Sequence, residues 1–407
     1  MKKYWKLIST VTVIVLSIGT FYVNAVLSAE EHPAFVIKTV SGDAAEIKPL
    51  VLEGYYEDTS GYVSNNLNIT TEGSTYTSHT FLDQIIGQPD VMIKELQEEY
   101  RGFMRGKKGW INLYSEDDQY VAYGDVRYKM GSMRSSDFKL VVSVLNKKDG
   151  NTNAFTIEVP NGEILDHMFV DSVQLIGNEL TLITQNSIRN NDDNYDEKHI
   201  YTIDLDNQTI SSHEKLFQFA QAEGNMFTNF QVIGTKPDTA HEHIILLKTE
   251  EEIMEETEST ITKKGDRNQE IISYNLVTKE KETIDVPELN LEENQLSFFD
   301  GSTLYFTKVE EQELVVTPYS LVDDQVGQAI NIPLSSDNEG DVQDPLITVN
   351  NGKIYAAESQ MNKNVDANVV VADLNTGETL FEGQIALKDS SKEIGNYELY
   401  FHELVIR

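Results

Sequence analysis

The chain has 407 residues, 40% of them hydrophobic, and a formal net charge of −35 from 67 acidic and 32 basic side chains. That surface repels phosphate backbones, so nucleic acid is excluded as a natural partner, and anionic membranes are disfavoured except at the N-terminus. Cysteine is absent, which rules out disulfides, cysteine-bound zinc, thiol catalysis and an acylated lipobox.

The first element is an export segment. "MKKYWK" precedes residues 7 to 29, which carry no charge. As a helix this run spans about 34 Å, enough for the ~30 Å hydrocarbon core of a bilayer. The lysines ahead of it orient residues 1–6 as a cytoplasmic tail and 30–407 as an extracytoplasmic domain. Two fates are open for 7–29. It is a transmembrane anchor, or a signal peptide cut after Ala25 or Ala29, both of which close small-residue triplets.

Residues 35 to 83 start with "FVIKTVSGDAAEIKPLVLEGYY" and read as a first group of strands. "PDVMIKELQEEYRGFMRGKK" (89–108) breaks the β pattern and is expected to be a helix. Pro89 suits a first turn, and Ile93, Leu96, Tyr100 and Phe103 share one face. Arg101, Arg105, Lys107 and Lys108 make this the one local basic cluster. It is either a solvated helix end or a docking element.

From residue 110 two hairpin types alternate. The first is strand, tight turn, strand, as in "VQLIGNELTLIT" (173–184), "LSFFDGSTLYFTK" (296–308) and "LITVNNGKIYAAE" (346–358). Gly177-Asn178, Asp300-Gly301 and Asn351-Gly352 are suited to two-residue turns. The second type includes "HIYTIDLDNQTI" (199–210), "IISYNLVTKEKETI" (271–284) and "NVVVADLNTGETL" (368–380). The pairs are 110–128 with 138–160, 173–184 with 199–210, 230–248 with 271–287, 296–308 with 314–333, and 346–358 with 368–383. Pro160, Pro287 and Pro333 end three of the second hairpins, as expected for edge strands. The acidic "TEEEIMEETEST" (249–260) is expected to prolong one hairpin, as an arm or a short helix. "NYELYFHELVIR" (396–407) suits a closing strand paired with N-terminal strands.

Four antiparallel strands every 50 to 65 residues is the pattern of propeller blades. The fold class expected is all-β, a single β-propeller of six or seven blades over 30–407. With "DLNTGE" at 373–378, and partial matches at Asp204-Leu205 and Asn275-Leu276, the chain resembles bacterial extracytoplasmic β-propellers with such blade hairpins. The resemblance is to a superfold, which carries no reaction with it.

Catalytic signatures fail. "HEHII" (241–245), "HEKLF" (213–217) and "HELVI" (402–406) lack the second histidine of a zinc protease. His241 and His243 alternate and could share a strand face, but a third ligand is not evident. "DDNYDE" (192–197) spaces Asp192, Asn194 and Asp196 like a calcium loop without its glycine, and position 203, where the bidentate glutamate belongs, is Ile203. "SSDNEGDVQD" (335–344) is a second acidic loop. Both are read as solvated loops, with calcium as the one cofactor to consider. No catalytic or cofactor-binding residue is assigned, and the metal ligands are left open. The function expected is a non-enzymatic binding or scaffold module for a protein or cell-envelope ligand, held at the membrane by residues 7–29 or secreted. The alternatives are a metal-dependent hydrolase or lyase with its site on the channel axis, and a component of an envelope-stress sensor.

Overall fold

The computed structural model describes residues 10, 12, 14, 17, 19, 20, 32–58, 64–76, 90–131, 135–190, 193–220, 226–233, 241–257, 260–310, 313–334, 345–389 and 395–406. Most of the expected span at 7–29 lies outside them. Thr10, Thr12, Ile14, Ser17, Gly19 and Thr20 are helical and exposed. Among the described residues no helix is long and apolar enough to cross a membrane.

The chain divides into two compact units. In chain order, the first contributes β1 (Phe35–Gly42), β2 (Leu50–Asp58), β3 (Ser64–Ile69) and β4 (Ser74–Tyr76). The second unit follows, with α1 (Val91–Glu99) and α2 (Arg101–Met104). Its first sheet runs β5 (Tyr114–Glu116), β6 (Tyr120–Lys129), β7 (Ser136–Asn146) and β8 (Thr152–Glu158) in sequential order. The next holds β9 (Leu165–Ile176), β10 (Glu179–Asn190), β11 (Asp193–Asp204) and β12 (Thr209–Ala220). A third holds β13 (Met226–Ile233), β14 (His243–Thr257), β15 (Thr260–Asn275) and β16 (Lys281–Ile284). The unit also contains β17 (Gln295–Phe299), most of β18 (Thr303–Glu310), the Thr317–Ser320 end of β19 (Glu313–Ser320), and β20 (Gln325–Val326).

The first unit resumes with the Val309–Val316 stretch, whose β19 residues pair with β21 (Ile330–Pro333). It continues with β22 (Leu346–Asn350), β23 (Lys353–Ala357), β24 (Gln360–Asn362), β25 (Ala367–Asp373), β26 (Thr379–Leu387) and β27 (Tyr397–Ile406). Its two sheets exchange chain ends. β27 lies against β2 in the order β24-β27-β2-β3-β4, pairing Leu50 with Ile406 and Asp58 with Tyr397. β1 instead completes the sheet β1-β26-β25-β23-β22, pairing Phe35 with Leu387. The closing strand is thus as expected, while the described strands of 35–83 are shared between two sheets, β1 in one and β2–β4 in the other, rather than forming one group. Among the described residues there are six antiparallel sheets, three of four strands as expected and three of five.

Each unit buries its own core. Phe35, Leu50, Leu52, Val369, Val371, Phe381 and Leu399 are fully or nearly fully buried in the first. Leu113, Val121, Leu140, Leu180, Leu182 and Ile203 hold the second together around its first two sheets. Val370 is buried as well as Val369 and Val371, so both faces of β25 are covered, as a stacked sheet requires.

The expected helix is shorter than its pattern. It breaks at Tyr100 (φ −117°, ψ 46°) and ends at Met104, where Arg105 turns extended. Ile93, Leu96 and Phe103 are buried and Tyr100 is half-buried, so the apolar face is as expected. In the acidic stretch 249–260, the described residues 249–257 and Thr260 are strand rather than helix, with Thr257 opposite Thr260 between β14 and β15.

One turn recurs at the outer hairpins. Asn146, Asp204, Asn275 and Asp373 each accept two backbone N–H bonds through Oδ1, from the residues two and three positions on, at 2.8–3.4 Å. Four positions after each, the backbone is left-handed: Gly150 (φ 71°), Gln208 (53°), Lys279 (62°) and Gly377 (72°). Ser320 repeats the theme through Oγ, with Asp324 at φ 53°. These are side-chain-capped turns, which is why Asn and Asp stand there. The backbone donors also hold the Asp204 and Asp373 carboxyls below the usual carboxylate range.

Two alanine substitutions separate backbone strain from side-chain space. A Cβ at Gly150 or at Gly102 would meet nothing within 4 Å. Gly150→Ala should nevertheless cost about 1–2 kcal/mol, because its φ is left-handed. Gly102→Ala, in helix, should gain up to about 1 kcal/mol. Thermal unfolding of the two variants should give shifts of opposite sign.

Candidate functional site

The capped turns form a rim. In the second unit the N–H after each capping residue bonds back to the preceding inner turn: Lys147 to the Gln119 carbonyl at 2.8 Å and Leu205 to the Asn178 carbonyl at 3.1 Å. This brings the β5–β6, β7–β8, β9–β10 and β11–β12 turns to one end of two neighbouring sheets. Between them lies a cavity of about 370 Å³. Val144, Leu175 and Leu205 supply its apolar wall, and Tyr120, Asn146, Asn151, Asn153, Asn178 and Asp206 supply its polar one.

These amides are half spent. The Asn146 Oδ1 is engaged by its own turn, Asn151 donates through Nδ2 to Asp149 at 2.9 Å, and Asn178 donates through Nδ2 to Asp204 at 3.3 Å. Asn146 Nδ2 and the Oδ1 atoms of Asn151 and Asn178 are left over. One donor and two acceptors, fixed in direction by the turns, therefore surround the cavity beside a half-buried tyrosine. Asp149, held below the usual range chiefly by the Asn151 backbone N–H, adds a charged acceptor. Fixed amide planes and a ring face are groups that match hydroxyls and C–H surfaces.

A second polar constellation lies inside the β9–β12 sheet. Alternation along β11 puts Glu197, His199 and Tyr201 on one face, and register sets His213 of β12 opposite Tyr201. His199 bonds Glu197 Oε2 through Nε2 at 2.7 Å and His213 Nε2 through Nδ1 at 2.7 Å. Lys215 closes on Glu197 at 3.1 Å. Tyr201 stacks on His213 with ring centroids 4.2 Å apart and receives an Asn186 N–H at 3.1 Å. Asn186 accepts in turn from Thr184. Glu197 and His213 approach opposite nitrogens of the His199 ring, so the three cannot converge on one metal ion. Glu197, His199, Tyr201, Asn186 and Thr184 are buried, His213 is half-buried and Lys215 is exposed, and their mutual bonds suit a packing network rather than a reactive group. Behind the same strand, Lys198 is 2% exposed and bonds Asp171 at 2.6 Å. Burial pushes the Asp171 carboxyl up despite the ammonium beside it. Removing either partner would strand a buried charge, at about 3–5 kcal/mol.

Among the described residues, those singled out from sequence do not assemble into a site. Both His243 ring nitrogens are occupied, by Ser273 at 2.8 Å and Asn275 at 3.1 Å. His241 instead packs edge-on against Phe299. Asp196 accepts from Gln185 at 3.2 Å, and Asp192 lies outside the described residues, as does all of 335–344. Among the described residues no group of three or more histidines and carboxylates is placed to hold a metal ion. Glu197, His199 and Tyr201 alternate visibly in sequence, but joining them to His213 needs the β11–β12 register. The cavity needs four turns distant in sequence, and its one local signal is the Asn and Asp content of 146–153.

No protein-family model matches the chain, and no curated protein does. Among solved structures it is similar to oligogalacturonate lyase in complex with manganese, at 9% identity over 91% of this chain and 90% of that one, TM-score 0.37. It is similar to an apocarotenoid oxygenase mutant from Synechocystis, at 8% identity over 87% and 93%, TM-score 0.42. It is also similar to TolB from Acinetobacter baumannii, at 9% identity over 84% of this chain, TM-score 0.32. The chain spans 65% of that TolB and 40% of a Porphyromonas gingivalis dipeptidyl peptidase 4 that it also matches. With TM-scores between 0.32 and 0.42, none of these similarities passes an activity or a residue role to this chain.

Burial lowers the pKa of both His199 and His213 below the ordinary histidine value. The unfolded chain therefore takes up protons first as pH falls. Stability should be full above about pH 6.5 and decline below it, by up to about 1.4 kcal/mol per pH unit for each ring. His199→Gln should flatten the dependence of melting temperature on pH between 7 and 5, and an unchanged slope would place the titration elsewhere.

Proposed function

We propose that the chain is a non-catalytic extracytoplasmic binding module of the β-propeller kind, and that its ligand is a neutral, polyhydroxylated component of the cell envelope. The observation that carries this reading is the amide-rimmed cavity of about 370 Å³ between the turns of two adjacent sheets. Its size falls in the range of roughly 300–1,000 Å³ usual for small-ligand sites. The free ends of Asn146, Asn151 and Asn178 would pair with ligand hydroxyls, and Tyr120 would meet a sugar ring on its C–H face. Asp149 and Asp206 at the same rim disfavour an anionic ligand there. Placement outside the cytoplasmic membrane is supported by the basic "MKKYWK" and the uncharged 7–29, which would tether the module or be removed on export.

The rim sits on turns tied into sheets, so binding would cost little ordering of the protein. The full chain should bind neutral cell-wall glycan fragments by calorimetry. Asn178→Ala should weaken binding by about tenfold, roughly 1.4 kcal/mol, with melting temperature nearly unchanged, and Tyr120→Ala should weaken it as much while also lowering the melting temperature, because its half-buried ring packs on the core. A panel of neutral glycans that gives no heat, or variants that bind like the parent, would remove the reading.

A further inference from the structure

A second cavity, of about 540 Å³, lies on one face of the β5–β8 sheet under the extended segment that follows α2. Alternation places Tyr123, Asp125 and Arg127 of β6 on that face, with Ser143 of β7 directly opposite Tyr123. The overlying segment adds Arg105, Lys107 and Lys108. In a chain of net charge −35, four cations here face a single carboxylate. That carboxylate is already committed. Asp125 receives Lys108 at 2.9 Å on one oxygen and the Tyr123 hydroxyl at 2.9 Å on the other.

The remaining cations lack acidic partners among the described residues. Lys107 donates to the Phe103 carbonyl and rests 3.9 Å above the Phe103 ring, and burial lowers its pKa. Arg105 and Arg127 are exposed. Ser143 is 4% exposed, yet its Oγ has no hydrogen-bond partner. An unmet buried hydroxyl in the wall of a cationic cavity is a donor waiting for an acceptor. Guanidinium forks, an ammonium and a hydroxyl are the donors that hold a planar or tetrahedral oxyanion.

We propose that this cavity is an oxyanion-binding site, taking the phosphate or carboxylate group of a small molecule between Arg105, Lys107, Arg127 and Ser143. The site is separate from the amide-rimmed cavity, uses the opposite ligand charge and does not depend on the glycan reading.

The test is thermal unfolding and calorimetry of the full chain with inorganic phosphate, and in parallel with citrate, each against sodium chloride of equal ionic strength. The chloride series matters because any salt screens the self-repulsion of so acidic a chain. The expected result is a saturable rise in melting temperature beyond the chloride value. A response to phosphate alone identifies a phosphate-bearing ligand, and a response to citrate alone a carboxylate-bearing one. The double variant Arg105→Gln with Arg127→Gln should weaken binding by about tenfold or more, while Lys148→Gln, an exposed cation outside the cavity, should leave it unchanged. Ser143→Ala should weaken binding without lowering the melting temperature of the free chain, since its hydroxyl has no bond to lose. Phosphate and citrate acting no better than chloride, or a full response in the double arginine variant, would overturn the proposal.

Discussion

The side-chain-capped turn at the outer hairpins is the constraint from which most of the rest follows. One oxygen of Asn146, Asp204, Asn275 or Asp373 fixes two backbone amides, and the residue four positions on must be left-handed. Fixing the turn fixes the pairing of the strands it joins, because a slip of one residue would reverse every side chain. The next N–H along then fastens the outer turn to the inner one: Leu205 to Asn178, Leu276 to Glu242, Leu321 to Ser302 and Leu374 to Gly352. Among the described residues, five of the six sheets are in this way bound at one end by their own two hairpins, without a disulfide.

The same turns do double duty as surface chemistry. Asn146 uses its Oδ1 for the backbone and presents its Nδ2, while Asn151 and Asn178 spend Nδ2 on neighbouring turn carboxylates and present Oδ1. Where two sheets of the second unit lie side by side, these leftover ends meet in a cavity. Deeper in the sheets the demand reverses, and buried polar groups are mostly paired, with Ser143 Oγ and Gln174 Oε1 as exceptions among the described residues. The Glu197–His199–His213 chain and the Lys198–Asp171 pair satisfy that demand. The contrast decides which polar groups are available to a ligand and which serve packing.

Much of this architecture was legible in the sequence. Alternating hairpins, the "DLNTGE" stretch and the proline strand ends pointed to a mostly β chain of four-stranded antiparallel sheets, which three of the sheets are, and the last strand closes on β2 as its pattern suggests. Other features were hidden for identifiable reasons. The left-handed position is glycine at 150 and 377 but Gln208, Lys279 and Asp324 elsewhere, so the turn does not read as one motif. β1 reads like the opening strand of its own group, yet its apolar residues Phe35 and Ile37 pack in the sheet of β26. The basic run after α2 reads in sequence as either a solvated helix end or a docking element; in the fold Lys107 and Lys108 line a cavity on the β5–β8 sheet. The candidate sites escape a linear reading because their members come from different hairpins, and burial of Ser143 or direction of Asn178 exists only after folding.

The most direct test of the account is native-state hydrogen exchange at the turn amides. If the capped turns are integral to the sheets, the N–H groups of Leu205, Leu276, Leu374 and Gly377 should be protected to the same degree as the strand amides beside them. Exchange at the rate of free loops would mean that the turns fray independently of the sheets, and the account of register and rim built on them would fail.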